Sequence, residues 1–278
     1  MELLVFVLFS FLLLHLFCCI SSTFKFYTKL VCYYLVLIIV PSVTIPLSIF
    51  RPGDPKNILY NSWVVHHIVV PLFGVNWKVR NEERLKTKEP CILVCNHQSS
   101  LDILGMMYIW PLLSPCIAVL KRELLFTGPF GIVSWLAGFI FLDRCNSEDA
   151  RNTLNTKVKE VKEKRVKMWI FPEGTRNDNS TLLPFKKGAF HIAVQAQVPI
   201  IPVVFSSYSS FYKVCEKKFD TGTVVVNILP PVYTDGLTTQ DIPELMKNVR
   251  SSMLNVLTLG ANYNPTKEYV KHIDIAES

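Results

Sequence analysis

Only three charged residues, Glu2, Lys25 and Lys29, stand among residues 1–50. A soluble domain carries about a quarter charged residues, so this front region needs lipid or a protein interior around it. Residues 1–20 are almost continuous hydrocarbon and match the roughly 20 apolar residues of a bilayer span. Glu2 stands where a signal peptide has a basic cluster, and no small-x-small cleavage site follows, so an uncleaved anchor is expected. A second apolar run, residues 30–50, contains Pro41 and Pro46, which membrane helices tolerate as kinks. The two runs predict a helical hairpin, spanning or dipping into one leaflet, with residues 21–29 as its connecting loop. Arg51, Lys56, Lys78, Arg80, Arg84, Lys86 and Lys88 follow it, which favours a cytosolic position for the rest of the chain.

Over its 278 residues the chain is 50% hydrophobic and 18% charged, with a net charge of +7. A basic body beside a lipid anchor suits anionic membrane surfaces and phosphorylated substrates. Nucleic acid is not an expected partner: zinc-finger spacing, an RNP-like motif and a basic tail are all missing. The eight cysteines have no disulfide-framework spacing and read as buried thiols of a reducing compartment. Residues 124–142 carry no charge and are long enough to suggest a span, but they contain Gly128, Pro129, Gly131 and Gly138. A span there would separate the polar turns on either side of it, so the run is expected to dip into the membrane surface or join the core. Residues 58–75, with Tyr60 and Trp63, read as interfacial, and His66 and His67 within them as structural.

Beyond residue 90 strand and helix patterns alternate. Residues 91–95 form a short buried-strand pattern that stops at the polar turn 96–100, and an apolar helix follows to about Trp110. Residues 116–120, 168–171, 198–205 and 223–229 read as strands; 148–167, 188–197 and 241–259 read as helices. The expected fold class is α/β: a mixed sheet flanked by helices, preceded by an N-terminal two-helix membrane anchor.

Residues 96–102 read Asn-His-Gln-Ser-Ser-Leu-Asp. On one continuous helix His97 and Asp102 would face different ways. If the helix starts near Ser99, the Asp102 carboxylate can reach back to the imidazole, hold its tautomer and stabilise the imidazolium, as in the His–Asp half of a triad. A histidine after a strand is more often structural, but an aspartate within reach changes that weighting. The chain has no Gly-x-Ser-x-Gly elbow, so the attacking oxygen can belong to a substrate whose proton His97 removes. Ser99 and Ser100 are weaker nucleophile candidates, since both suit a helix start. Residues 171–177 form a second polar turn, where Gly174 permits close backbone approach and Arg176 offers a planar donor fork for phosphate oxygens. Cys91, Cys95 and His97 lack a fourth ligand, so no metal is expected.

Four blocks in order resemble the 1-acylglycerol-3-phosphate acyltransferases, within the wider glycerophospholipid acyltransferase family. They are residues 96–102, 138–144 (Gly-Phe-Ile-Phe-Leu-Asp-Arg), 171–176 (Phe-Pro-Glu-Gly-Thr-Arg) and 198–202 (Val-Pro-Ile-Ile-Pro). The resemblance implies transfer of a fatty acyl group from acyl-CoA to the sn-2 hydroxyl of lysophosphatidic acid, giving phosphatidic acid without a covalent enzyme intermediate. It implies His97 as general base and Asp102 as its orienting partner. Glu173, Gly174, Thr175 and Arg176, with Arg144 and Lys121, are then the acceptor-phosphate set. Pro199 and Pro202 bound an acyl site or support the sheet. No cofactor is expected, acyl-CoA being a co-substrate, and the partners are the two substrates and membrane lipids. The expected boundaries are an anchor over residues 1–55, an acyltransferase domain over 56–265 and a tail over 266–278. The expected setting is the endoplasmic reticulum membrane with the catalytic domain facing the cytosol. Another lysophospholipid or glycerol 3-phosphate is the alternative acceptor, and a serine-dependent lipid hydrolase is the alternative chemistry.

Overall fold

The computed structural model describes residues 20–143 and 161–259, with single positions 4, 6, 17, 153, 156 and 158. The first anchor segment, most of the helix expected over 148–167 and the tail expected over 266–278 lie outside the described residues.

Helix α1 (Ser22–Ser48) opens on Ser21, whose side-chain oxygen accepts the Phe24 N–H at 3.2 Å. The expected loop over residues 21–29 is therefore corrected: it is the cap and first two turns of a helix. Its two lysines read as loop residues in an apolar run, yet each has a partner on the folded domain. Lys25 pairs with Asp220 at 2.6 Å, and Lys29 donates to the Phe73 carbonyl at 3.0 Å. Pro41 and Pro46 lie inside the helix without ending it. At about 40 Å, α1 is the one helix among the described residues long and apolar enough to cross a membrane. It is also docked: Tyr33, Pro41, Thr44 and Ser48 are buried, while Val31, Leu35, Ile38, Val43 and Leu47 are exposed on its outer side.

Helix α2 (Ile58–Val64) runs through a π turn (Val65–Val69) into a last helical turn (Val70–Phe73) and leads to strand β1 (Val75–Arg80). The order continues β2 (Ile92–Cys95), α3 (Asp102–Leu113), β3 (Cys116–Lys121), α4 (Pro129–Leu136), β4 (Ile140–Leu142) and β5 (Lys167–Ile170). After it come α5 (Gly188–Ala196), β6 (Ile200–Phe205), a small hairpin of β7 (Tyr212–Lys213) and β8 (Lys218–Phe219), β9 (Gly222–Ile228) and α6 (Ile242–Leu259). The uncharged run 124–142 is thus broken into a 3₁₀ turn, a short helix and a strand, and does not form a spanning helix.

Seven strands form one sheet in the order β1-β9-β6-β2-β5-β3-β4, parallel throughout except for β6 against β9. The middle strands β2, β5 and β6 are buried along their whole length, as their unbroken apolar runs require in a sheet covered on both faces. The mixed α/β sheet is as expected. Of the two anchor helices, only α1 is described.

Candidate active site

Strands β2 and β5 are parallel neighbours, with Ile92 opposite Met168 and Val94 opposite Ile170. The chain therefore leaves both at the same edge of the sheet, and the turns 96–100 and 171–177 meet there. Such a crevice beyond the carboxyl ends of strands is where open α/β sheets bind ligands. Asn96 fastens the first turn to the end of β6 by accepting the Phe205 N–H at 2.8 Å and donating to the Phe205 carbonyl at 3.0 Å. Glu173 fastens the second turn to the first. Only 4% exposed, it accepts the His97 N–H at 2.9 Å with one oxygen and the Leu183 N–H at 2.8 Å with the other. Burial raises its pKa, and those two N–H donors oppose the rise. Asn177 closes the frame from the other side, its N–H donating to the His97 carbonyl at 2.8 Å.

Helix α3 begins at Asp102, three residues later than Ser99, so the carboxylate sits on the first helical residue and folds back over its own loop. Its Oδ2 accepts His97 Nδ1 at 2.6 Å, the Gln98 N–H at 2.8 Å and the Ser99 N–H at 3.1 Å. With Nδ1 donating to the carboxylate, Nε2 is the basic nitrogen of the ring. Phe171 stacks on the imidazole at 4.1 Å between centroids.

His97 lines an apolar cavity of about 100 Å³, with Lys121 and Arg176 as its charged wall residues. Val36 and Val40 of α1, Met107 of α3 and Val133 of α4 form part of the remaining wall. Arg176 and Thr175 are exposed, and Lys121 pairs with Glu123 at 2.7 Å. Gly174 has a φ of +71°, and a Cβ there would stand 2.7 Å from the Lys186 side chain. Arg144 lies outside the described residues. Pro199 stands at the opposite end of the sheet, its carbonyl accepting the Ile92 N–H at 3.0 Å, and Pro202 is buried within β6. Neither proline lines the cavity. Among the described residues no group of three His, Cys, Asp or Glu could hold a metal ion. Burial pushes the Cys91 thiol up to about 12 and Cys95 well above its ordinary range.

Several framework residues were not singled out from sequence. Gln98 donates to the Phe205 and Ser206 carbonyls, both at 3.1 Å, and Tyr33 of α1 donates to the Ser100 carbonyl at 2.5 Å. Lys186 is a further cation beside the second turn. Only Phe171 had a local signal, as an aromatic directly before the Pro-Glu-Gly turn.

The α/β sheet and the His–Asp pair at its edge define a class, and the comparisons name it: a family model described as Acyltransferase matches residues 76–206. The 1-acyl-sn-glycerol-3-phosphate acyltransferase alpha of Homo sapiens is 43% identical over 91% of this chain and 88% of its own length. The human beta enzyme is 41% identical over 87% of each chain. The crystal structure of the 1-acyl-sn-glycerophosphate acyltransferase of Thermotoga maritima has the same fold, with a TM-score of 0.65 at 23% identity over 87% of this chain and 96% of that one. The chain belongs to the 1-acyl-sn-glycerol-3-phosphate acyltransferase family and is an acyltransferase.

Proposed function

We propose that this enzyme transfers a fatty acyl group from acyl-CoA to the sn-2 hydroxyl of lysophosphatidic acid, giving phosphatidic acid and free coenzyme A. The observation that carries the reading is the His97–Asp102 pair, held at 2.6 Å on the wall of an apolar cavity that also has Arg176 and Lys121. The acceptor hydroxyl gives its proton to His97 Nε2 while its oxygen attacks the thioester carbonyl. Collapse of the tetrahedral adduct breaks the C–S bond, and the imidazolium returns the proton to the departing thiolate. Asp102 holds the ring's tautomer and stabilises the imidazolium. The cavity takes the acyl chain. Arg176 and Lys121 bind the acceptor phosphate with Arg144, Lys186 and the backbone of Thr175, while Gly174, its N–H given to the Phe171 carbonyl at 3.2 Å, shapes the turn. Glu173, its two oxygens occupied, holds the histidine's backbone and does not contact phosphate.

Residues 1–55 serve as anchor and 56–265 as catalytic domain, but α1 belongs to both, since its inner side lines the cavity. Its outer side, with the exposed Trp63, Phe126 and Trp135, rests in one leaflet of the endoplasmic reticulum membrane and leaves the site on the cytosolic side. Purified enzyme given acyl-CoA and, in turn, lysophosphatidic acid, lysophosphatidylcholine and glycerol 3-phosphate tests the assignment. Lysophosphatidic acid is expected to give the highest kcat/KM; a higher value with either of the others overturns the choice of acceptor.

A further inference from the structure

Asp102 is wholly buried and three donors share its Oδ2, yet its Oδ1 has no hydrogen-bond partner. Tyr208 has the matching defect: it is 3% exposed and its hydroxyl is unpartnered. Buried polar atoms without a partner are rare, and two in one place call for a common explanation. The packing brings them together. The Tyr208 ring stands edge-on to Trp77 at 6.2 Å between centroids. Trp77 in turn fills the space over Gly105, where a Cβ would lie 2.3 Å from its ring, and Gly105 follows Asp102 by one turn of α3. The Tyr208 N–H also donates to Gln98 Oε1 at 3.3 Å, and the Gln98 N–H is itself a donor to Asp102. Burial first, and then the Asp102 carboxylate beside it, raises the Tyr208 hydroxyl well above its ordinary pKa.

We propose that the Tyr208 hydroxyl donates a hydrogen bond to Asp102 Oδ1, which makes Tyr208 a positioning residue for the His97–Asp102 pair. The assignment rests on His97 being the general base. Donors on both oxygens fix the plane of the carboxylate, so Oδ2 stays aimed at His97 Nδ1. The extra donor also stabilises the negative couple, neutral His97 with ionised Asp102, more than the ion pair formed when the ring is protonated. The other titratable groups acting on this cluster are Glu173, Arg176, Cys95, Tyr33, Tyr34 and Tyr212, and none of them is altered by the test.

Tyr208→Phe removes one oxygen and keeps the ring against Trp77 and Phe211. Its kcat is expected to fall roughly tenfold, about the size of a charge-assisted bond, and the acid limb of kcat/KM to move up by the part of that bond lost when the ring is protonated. KM for both substrates stays close to wild type. In an Asp102→Asn background the same change adds little, because the carboxylate it serves is gone. Incorporation of 3-fluorotyrosine at position 208 keeps the shape, makes the hydroxyl a stronger donor and moves the limb down. An unmoved acid limb in the phenylalanine or fluorotyrosine enzyme overturns the proposal, as does a lowered unfolding temperature with kcat unchanged. Inactive His97→Ala beside normal Tyr208→Phe removes only the Tyr208 assignment, whereas active His97→Ala removes the general-base reading beneath it.

Discussion

Asp102 is the first residue of α3, and from that position one carboxylate oxygen satisfies two N–H groups of its own loop while holding His97 Nδ1 at 2.6 Å. Arg176, by contrast, is exposed at the cavity wall, free to meet a charged ligand. In its proposed role as a bidentate clamp on the acceptor phosphate it would contribute charge-assisted bonds of about 1.5–3 kcal/mol each. Arg176→Ala is expected to weaken apparent acceptor affinity by roughly ten- to a hundredfold, with Arg176→Lys in between because the charge stays and the fork is lost. Steady-state kinetics that vary each substrate in turn check this; equal losses for acceptor and acyl-CoA would make Arg176 a structural residue. The pair His97 and Asp102 was legible in sequence because five residues around a strand exit can close a short loop. The helix start was misread because Ser99 and Ser100 look like caps. The framework role of Glu173 was not legible: its partners are backbone N–H groups of two loops, one of them 76 residues away, and no side-chain pattern announces them.

Helix α1 was legible as an apolar helix from composition alone, but its docking was not. Lys25, Lys29, Tyr33 and Thr44 each find a partner outside the helix, and those partners are set by tertiary packing. The same packing makes α1 a wall of the cavity, with Val40 facing the space that Met107 faces from α3. Val40→Trp is therefore expected to shorten the accepted acyl chain. Each methylene denied burial costs about 0.8 kcal/mol, so excluding four shifts kcat/KM between long and short acyl-CoA by roughly two orders of magnitude. Competition between acyl-CoAs of different length measures the ratio. An unchanged preference in a folded, active variant would place the chain elsewhere. Strands β1 and β4 escaped the sequence reading because the first follows a long apolar stretch and the second ends an uncharged run that resembles a span.

The whole molecule combines a parallel-rich sheet, whose open edge carries both polar turns, with a helix that is apolar on the outside and bound to the domain on the inside. In the proposed setting that arrangement puts the site at the lipid surface with no crossing through residues 124–142, which form a 3₁₀ turn, a short helix and a strand. Asn179, Ser180 and Thr181 form an exposed glycosylation sequon in the turn region after β5. With the domain in the cytosol it is expected to stay unmodified in a cell that glycosylates secretory proteins. A glycosidase-sensitive mass that disappears in Asn179→Gln would put the domain in the lumen. His97 is proposed to activate the acceptor hydroxyl for direct attack on the thioester, and a transfer assay on its variants checks that role. Transfer from radiolabelled acyl-CoA to lysophosphatidic acid is measured for wild type, Asp102→Asn and His97→Ala at matched amounts of folded protein. No detectable phosphatidic acid is expected from His97→Ala and a loss of roughly 10⁴-fold in Asp102→Asn; near-normal turnover by His97→Ala would rule out the general-base role.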